Sequence, residues 1–168
     1  MKLLGIAGPS GSGKTTLIEA LLPILIGQGI TVSTIKHAHH GFDLDRPGKD
    51  SFRHREAGAR EVMLVGDRRF ALLHEFGSNL PDLDALLVRM APVDLVLIEG
   101  FRDVPIPKIE VFRPSLGQPP LWSGHDHICA VATDAPLFDC DLPQLDLNQP
   151  LQIAGWIIKF FSALEPAA

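Results

Sequence analysis

Apolar residues come in short blocks separated by polar, glycine-rich and proline-rich stretches, and the spacing within each block predicts alternating strands and helices. Residues 3–7 are a brief apolar run that passes straight into glycine and serine, the pattern of a buried strand entering a tight loop. Over residues 14–28, Leu17, Ile18, Leu21, Leu22, Leu25 and Ile26 recur at helical spacing, giving a helix bent at Pro23 and ended near Gly27 or Gly29. Residues 31–35 are β-branched and alternate as a second strand; a short helix is expected over 51–57, with Asp50 or Ser51 as its cap. Residues 61–65 and 69–73 read as two strands joined by a turn at Gly66-Asp67. A helix over 81–90 capped near Asn79 precedes an apolar strand, 94–98, that ends at Glu99-Gly100. Further strands are predicted at 108–112 and 128–132 around a loop at 114–124, and a last helix at 149–164 capped near Asn148. This order predicts an α/β fold, a three-layer sandwich with a mixed, mostly parallel sheet.

The 168 residues correspond to a single domain spanning 1–168, and 46% hydrophobic against 21% charged residues excludes disorder for most of the chain. A net charge of −5 speaks against a general nucleic-acid binder. No apolar run reaches the roughly 18 residues of a membrane span, and residues 1–6 lack the features of a signal peptide, so a cytoplasmic protein is expected. Cys129 and Cys140 lie in or near apolar segments and are expected to be reduced.

Residues Gly8, Pro9, Ser10, Gly11, Ser12, Gly13, Lys14, Thr15 and Thr16 fit G-x-x-x-x-G-K-[ST] between a predicted strand and a predicted helix. Glycines let such a loop wrap with its N–H groups inward, and the helix terminus adds positive potential where phosphates sit. Lys14 is placed to reach the β- and γ-phosphates, and the Thr15 hydroxyl to bind Mg²⁺. Glu99, at the carboxyl end of an otherwise apolar strand, is the expected carboxylate for that metal or for an attacking water.

Residues 36–60 hold six of the fifteen Lys and Arg and four of the seven His, interleaved with acids. Two roles fit this crowding beside a nucleotide motif, with a solvated loop of mixed charge as the plainer alternative. The carboxylates, Asp45 first, could reach Mg²⁺ or its waters; the cations Lys49, Arg53, His54 and Arg55 could hold a second anionic ligand. His37, His39 and His40, with His125 and His127, suggest zinc, but no cysteine cluster completes such a site, and contact with phosphate or within the loop is the better expectation.

The phosphate loop, residues 36–59 (KHAHHGFDLDRPGKDSFRHREAGA), Leu97-Ile98-Glu99-Gly100-Phe101, Lys108-Ile109, Phe112-Arg113 and Val131-Ala132-Thr133-Asp134 together resemble the molybdopterin-guanine dinucleotide biosynthesis adaptor family, MobB. The resemblance covers nearly the whole chain. It implies a P-loop fold, a homodimer, GTP and Mg²⁺ as ligands and weak GTP hydrolysis. It also implies an adaptor role beside the guanylyltransferase that joins GMP to molybdopterin, with molybdoenzymes or molybdopterin-loading proteins as further partners and molybdopterin as a second ligand.

The Asn-Lys-x-Asp signature of guanine readers is absent, so Asp134, after an apolar strand, is the candidate for the N1 and N2 donors of guanine. The rival reading is a small-molecule kinase that transfers phosphate to an acceptor held by the Arg/His-rich segment. It requires a closing lid, and the proline-rich stretch 102–124 is a poor helical lid.

Overall fold

A computed structural model describes residues 1–38, 44–77 and 81–164; His39, His40, Asp43 and Asn79 lie outside them. The chain divides into two compact units, Met1–His37 with Ala91–Ala168, and Ala38–Met90.

The larger unit is built on a six-stranded sheet of β1 (Lys2–Ala7), β2 (Val32–Lys36), β5 (Leu95–Glu99), β6 (Lys108–Phe112), β7 (Ile128–Thr133) and β8 (Gln144–Asp146). The order across it is β2-β5-β1-β6-β7-β8, and every pairing is parallel. The expected α/β architecture with a mostly parallel sheet is therefore present. Helices α1 (Lys14–Gly27) and α4 (Pro150–Ala163) bury their apolar stripes, Leu17, Leu21 and Leu25 with Ile153, Ile157 and Phe161, in one cluster with Leu4, Ile6, Leu97, Ile109 and Val111. Strands β5 and β6 are buried on both faces, which explains why residues 95–98 read as an unbroken apolar run.

The smaller unit contains α2 (Asp50–Glu56), the antiparallel pair β3 (Glu61–Val65) and β4 (Phe70–His74), and α3 (Leu83–Leu87). The antiparallel component anticipated for the sheet is thus a ribbon of its own. Its turn closes with Gly66 N–H donating to Arg69 O at 2.9 Å.

Several boundaries differ from expectation. Helix α3 is shorter than predicted because Asp82 caps it, accepting from Ala85 N at 2.8 Å, and residues 88–90 close as tight turns. Asn148 does not cap α4. Its own N–H donates to Asp146 Oδ1 at 2.8 Å, and Pro150 starts the helix after Gln149. Asp50 is the first residue of α2 and Lys49 the flanking one, without a side-chain cap. Strand β8, only three residues long, carried no periodic signal.

Strand β6 also breaks the rule that charges leave the core: Lys108 and Glu110 are both buried. The Lys108 ammonium donates to the carbonyls of Val104 and of Ile106, the latter at 3.3 Å, while Glu110 accepts from Leu121 N at 2.9 and 3.0 Å and from Trp122 N at 3.0 Å. Each side chain thereby fastens a neighbouring loop to the strand. Burial pushes the Glu110 carboxyl above its ordinary value of 4.5, against the two backbone donors and the nearby His125 and Arg102. An acid raised in the folded state contributes stability below its ordinary pKa, and that contribution is lost as pH rises through the raised value. In melts followed by circular dichroism, the advantage of the wild type over Glu110→Gln should shrink as pH is raised from about 4.5 towards neutrality. A difference independent of pH would show that the fold does not raise the Glu110 pKa.

Candidate functional site

The sheet order determines what surrounds the loop after β1. Because β1 lies between β5 and β6, residues 8–13 emerge between Glu99, which is in register with Ile6, and Arg113, the residue that follows β6. Lys36, last in β2, is in register with Glu99 on the other side of β5. Ligands of open parallel sheets collect at this carboxyl edge.

The loop has the backbone its glycines permit: Gly8, Gly11 and Gly13 have φ of 134°, 78° and 103°. Gly13 flanks α1 without a side-chain cap, and the first helical bond runs from Leu17 N–H to Gly13 O at 2.9 Å. The N–H groups of Lys14, Thr15 and Thr16 therefore have no acceptor within the helix, which is the arrangement that receives an anion at a helix start. Ser10 and Gly11 are exposed, whereas Ser12 is buried and its hydroxyl finds no hydrogen-bond partner among the described residues.

Lys14 folds back over the loop and donates to Gly8 O at 2.9 Å and Pro9 O at 2.8 Å. Partial burial lowers its pKa; Glu99 opposes that shift and Lys36 adds to it. The Thr15 hydroxyl donates to both Glu99 oxygens, at 3.3 and 3.2 Å, and Lys36 Nζ lies 3.5 Å from Glu99 Oε2. Lys14, Thr15 and Glu99 are thus brought together as expected, and Lys36 joins them. In the sequence Lys36 is one cation of a basic segment, since its place beside Glu99 depends on the pairing of β2 with β5.

The turn after Glu99 is tightly constrained. A side chain at Gly100, φ 100°, would lie 2.6 Å from His37 Cβ, and Phe101, φ 50°, packs its ring on His37 with centroids 4.8 Å apart. His37 is thereby a packing partner of Phe101. No group of three metal-ligating side chains occurs among the described residues, and His125 Nε2 lies 3.2 Å from Arg102 Nη2.

On the β6 side, Arg113 donates from Nε to Ser12 O at 2.9 Å and from Nη1 to Asp134 Oδ2. The carboxylate expected to read guanine is therefore in an ion pair beneath the phosphate loop. Nothing in the local sequence announces this, because Arg113 meets Asp134 through the β6–β7 register and Ser12 through the β1–β6 pairing.

The remaining candidates belong to the smaller unit. Asp45 accepts from Ser51 Oγ at 2.5 Å and from Arg55 Nε at 3.2 Å, and Arg55 also pairs with Glu75 at 2.8 Å. Arg53 is exposed, 3.9 Å from Asp50, and Lys49 and His54 are exposed as well. Both cysteines are free thiols; burial pushes Cys129 up to about 11.

Comparison with known proteins identifies the family. The family model for MobB, molybdopterin guanine dinucleotide synthesis protein B, matches residues 3–134. The molybdopterin-guanine dinucleotide biosynthesis adapter protein of Haemophilus influenzae is 46% identical over 157 residues, 92% of this chain and 86% of that protein. The Escherichia coli protein of that name is 41% identical over 162 residues, 94% and 92% of the two chains. The crystal structure of Bacillus subtilis MobB superposes with a TM-score of 0.75 at 25% identity, covering 95% of this chain and 97% of that one. The chain belongs to the MobB family, the adapter proteins of molybdopterin guanine dinucleotide biosynthesis.

Proposed function

We propose that this adapter binds GTP with Mg²⁺ on residues 8–16, hydrolyses it slowly, and assists the guanylyltransferase that joins GMP to molybdopterin. The observation that carries the nucleotide reading is the convergence of Lys14, Thr15 and Glu99 on a glycine loop at a helix start.

The donor set suits magnesium. Thr15 and Glu99 offer oxygen only, at an exposed position where a metal can keep most of its waters. Bound there, Mg²⁺ would neutralise charge on the β- and γ-phosphates. The chain's own groups do the rest. The helix-start amides orient the phosphates, Lys14 exchanges its carbonyl partners for phosphate oxygens, and Glu99 accepts from Thr15 or from a water. Lys36, held at Glu99, supplies a second cation near the terminal phosphate. Fast hydrolysis needs a cation at the developing charge, an arginine finger being worth about three to five orders of magnitude, and without one turnover is slow.

Association fits the ribbon of the smaller unit, which exposes Met63, Val65, Phe70 and Leu72. We assign this surface to a homodimer. The exposed cations Lys49, Arg53 and His54 are assigned to the phosphate of molybdopterin, for a protein acting in the cytoplasm on molybdoenzymes or their loading proteins.

Titration with GTP and ATP, with and without Mg²⁺, followed by single-turnover hydrolysis, tests the reading. GTP is expected to bind more tightly than ATP, Glu99→Gln to lose roughly tenfold of the Mg²⁺-dependent gain in affinity, about 1.4 kcal/mol, and the rate to stay below about 1 s⁻¹. Mg²⁺ dependence unchanged in Glu99→Gln would remove Glu99 from the metal site. Turnover that appears only with an added small acceptor would make the protein a kinase.

A further inference from the structure

We infer that Arg113 and Asp134 form a clamp that sets the phosphate loop in its anion-binding shape, with Arg113 as a positioning residue. The inference rests on the nucleotide reading above and adds two residues and a division of labour to it.

Arg113 follows β6 and Asp134 follows β7; the register pairs Phe112 with Thr133, so the two residues leave the sheet side by side. The guanidinium then makes a fork. Nε donates to Ser12 O at 2.9 Å, Nη1 to Asp134, and Nη2 lies 3.6 Å from where a Cβ on Gly13 would stand. Both side chains are partly buried, at 33% and 24% exposure, so this ion pair is less screened than a surface pair.

The consequence follows from the planarity of the peptide unit. In a trans peptide the C=O and the next N–H point in opposite directions. Holding the Ser12 carbonyl on the guanidinium turns the Gly13 N–H away from Arg113, immediately before the open amides of Lys14, Thr15 and Thr16. A flip of that peptide would put a carbonyl where a phosphate oxygen must sit. The φ of 103° at Gly13 leaves the loop without the steric restraint a side chain would impose, so the restraint has to come from a hydrogen bond. Asp134 in turn restrains the guanidinium through a charge-assisted hydrogen bond from Nη1, while Nε is held on Ser12 O. In this assignment Asp134 acts on the loop and not on the base.

Phosphate positioning is blind to the base, and this gives the test. Affinities for Mg-GTP and Mg-ATP are measured for wild type, Arg113→Gln, Asp134→Asn and the double variant, with melting temperature as the control for folding. Arg113→Gln should weaken both nucleotides about tenfold by the same factor, Asp134→Asn should weaken both several-fold at an unchanged GTP:ATP ratio, and the double variant should match Arg113→Gln alone. Arg113→Lys, which keeps the charge but loses the fork, should fall between wild type and Arg113→Gln, and it serves as the test if Arg113→Gln fails to fold. Wild-type affinity in either Arg113 variant, a GTP:ATP ratio that moves in Asp134→Asn, or additive losses would overturn the clamp while leaving the nucleotide reading intact. Absence of nucleotide binding by the wild-type protein would overturn both.

Discussion

Lys14→Ala should lose at least a hundredfold in affinity for GTP and GDP, close to 3 kcal/mol, without losing stability. In the structure the ammonium donates to neutral acceptors, the carbonyls of Gly8 and Pro9 at 2.9 and 2.8 Å, and burial disfavours its charged form more than Glu99 favours it. Bound phosphate replaces these carbonyls with anionic oxygens, and hydrogen bonds of that kind contribute about 1.5–3 kcal/mol each. Removing the side chain therefore removes two or more such bonds from the complex and only carbonyl contacts from the free protein. Calorimetric titration beside a thermal melt checks both halves. Affinity within a few-fold of wild type would mean that phosphates bind elsewhere on the chain. A lost fold would mean that Lys14 is needed to shape the loop and not only to meet the ligand.

The residues legible in the sequence were those whose chemistry is set by near neighbours. The phosphate loop is contiguous, and Glu99 announces itself as a charge ending an apolar run. Residues whose role depends on strand register were not legible. Lys36 meets Glu99 because β2 is parallel to β5, and Arg113 reaches Ser12 across 101 positions because β6 lies beside β1. Lys108 and Glu110 read as part of a strand, but nothing in a charged-apolar alternation says that the charged face is buried too. Their partners are loop amides and carbonyls, which carry no side-chain signature. The ribbon β3–β4 was located by its alternation and turn, yet whether it joined the main sheet was a question of tertiary placement.

The same distinction between chemistry and register governs Gly8→Ala, which is expected to lose both nucleotide binding and stability although it removes no functional group. A methyl group at this position would stand 2.4 Å from Val111 O and 3.0 Å from Ser12 Oγ, on a backbone whose φ is 134°. The carbonyl cannot retreat, since Val111 is fully buried within β6, a strand paired on both sides. Backbone strain of about 1–3 kcal/mol and overpacking of a similar size add up to a melting-temperature drop of roughly 5–20 °C for a chain of this length. Gly11→Ala is the matched control. Its φ of 78° is also left-handed, but a methyl group there meets nothing within 4 Å, so it carries the conformational strain without the collision. If the two variants melt alike, the contact with Val111 is not what holds the loop against β6. If Gly8→Ala is the less stable of the two, the difference measures how closely the loop must approach that strand for its amides to face a phosphate.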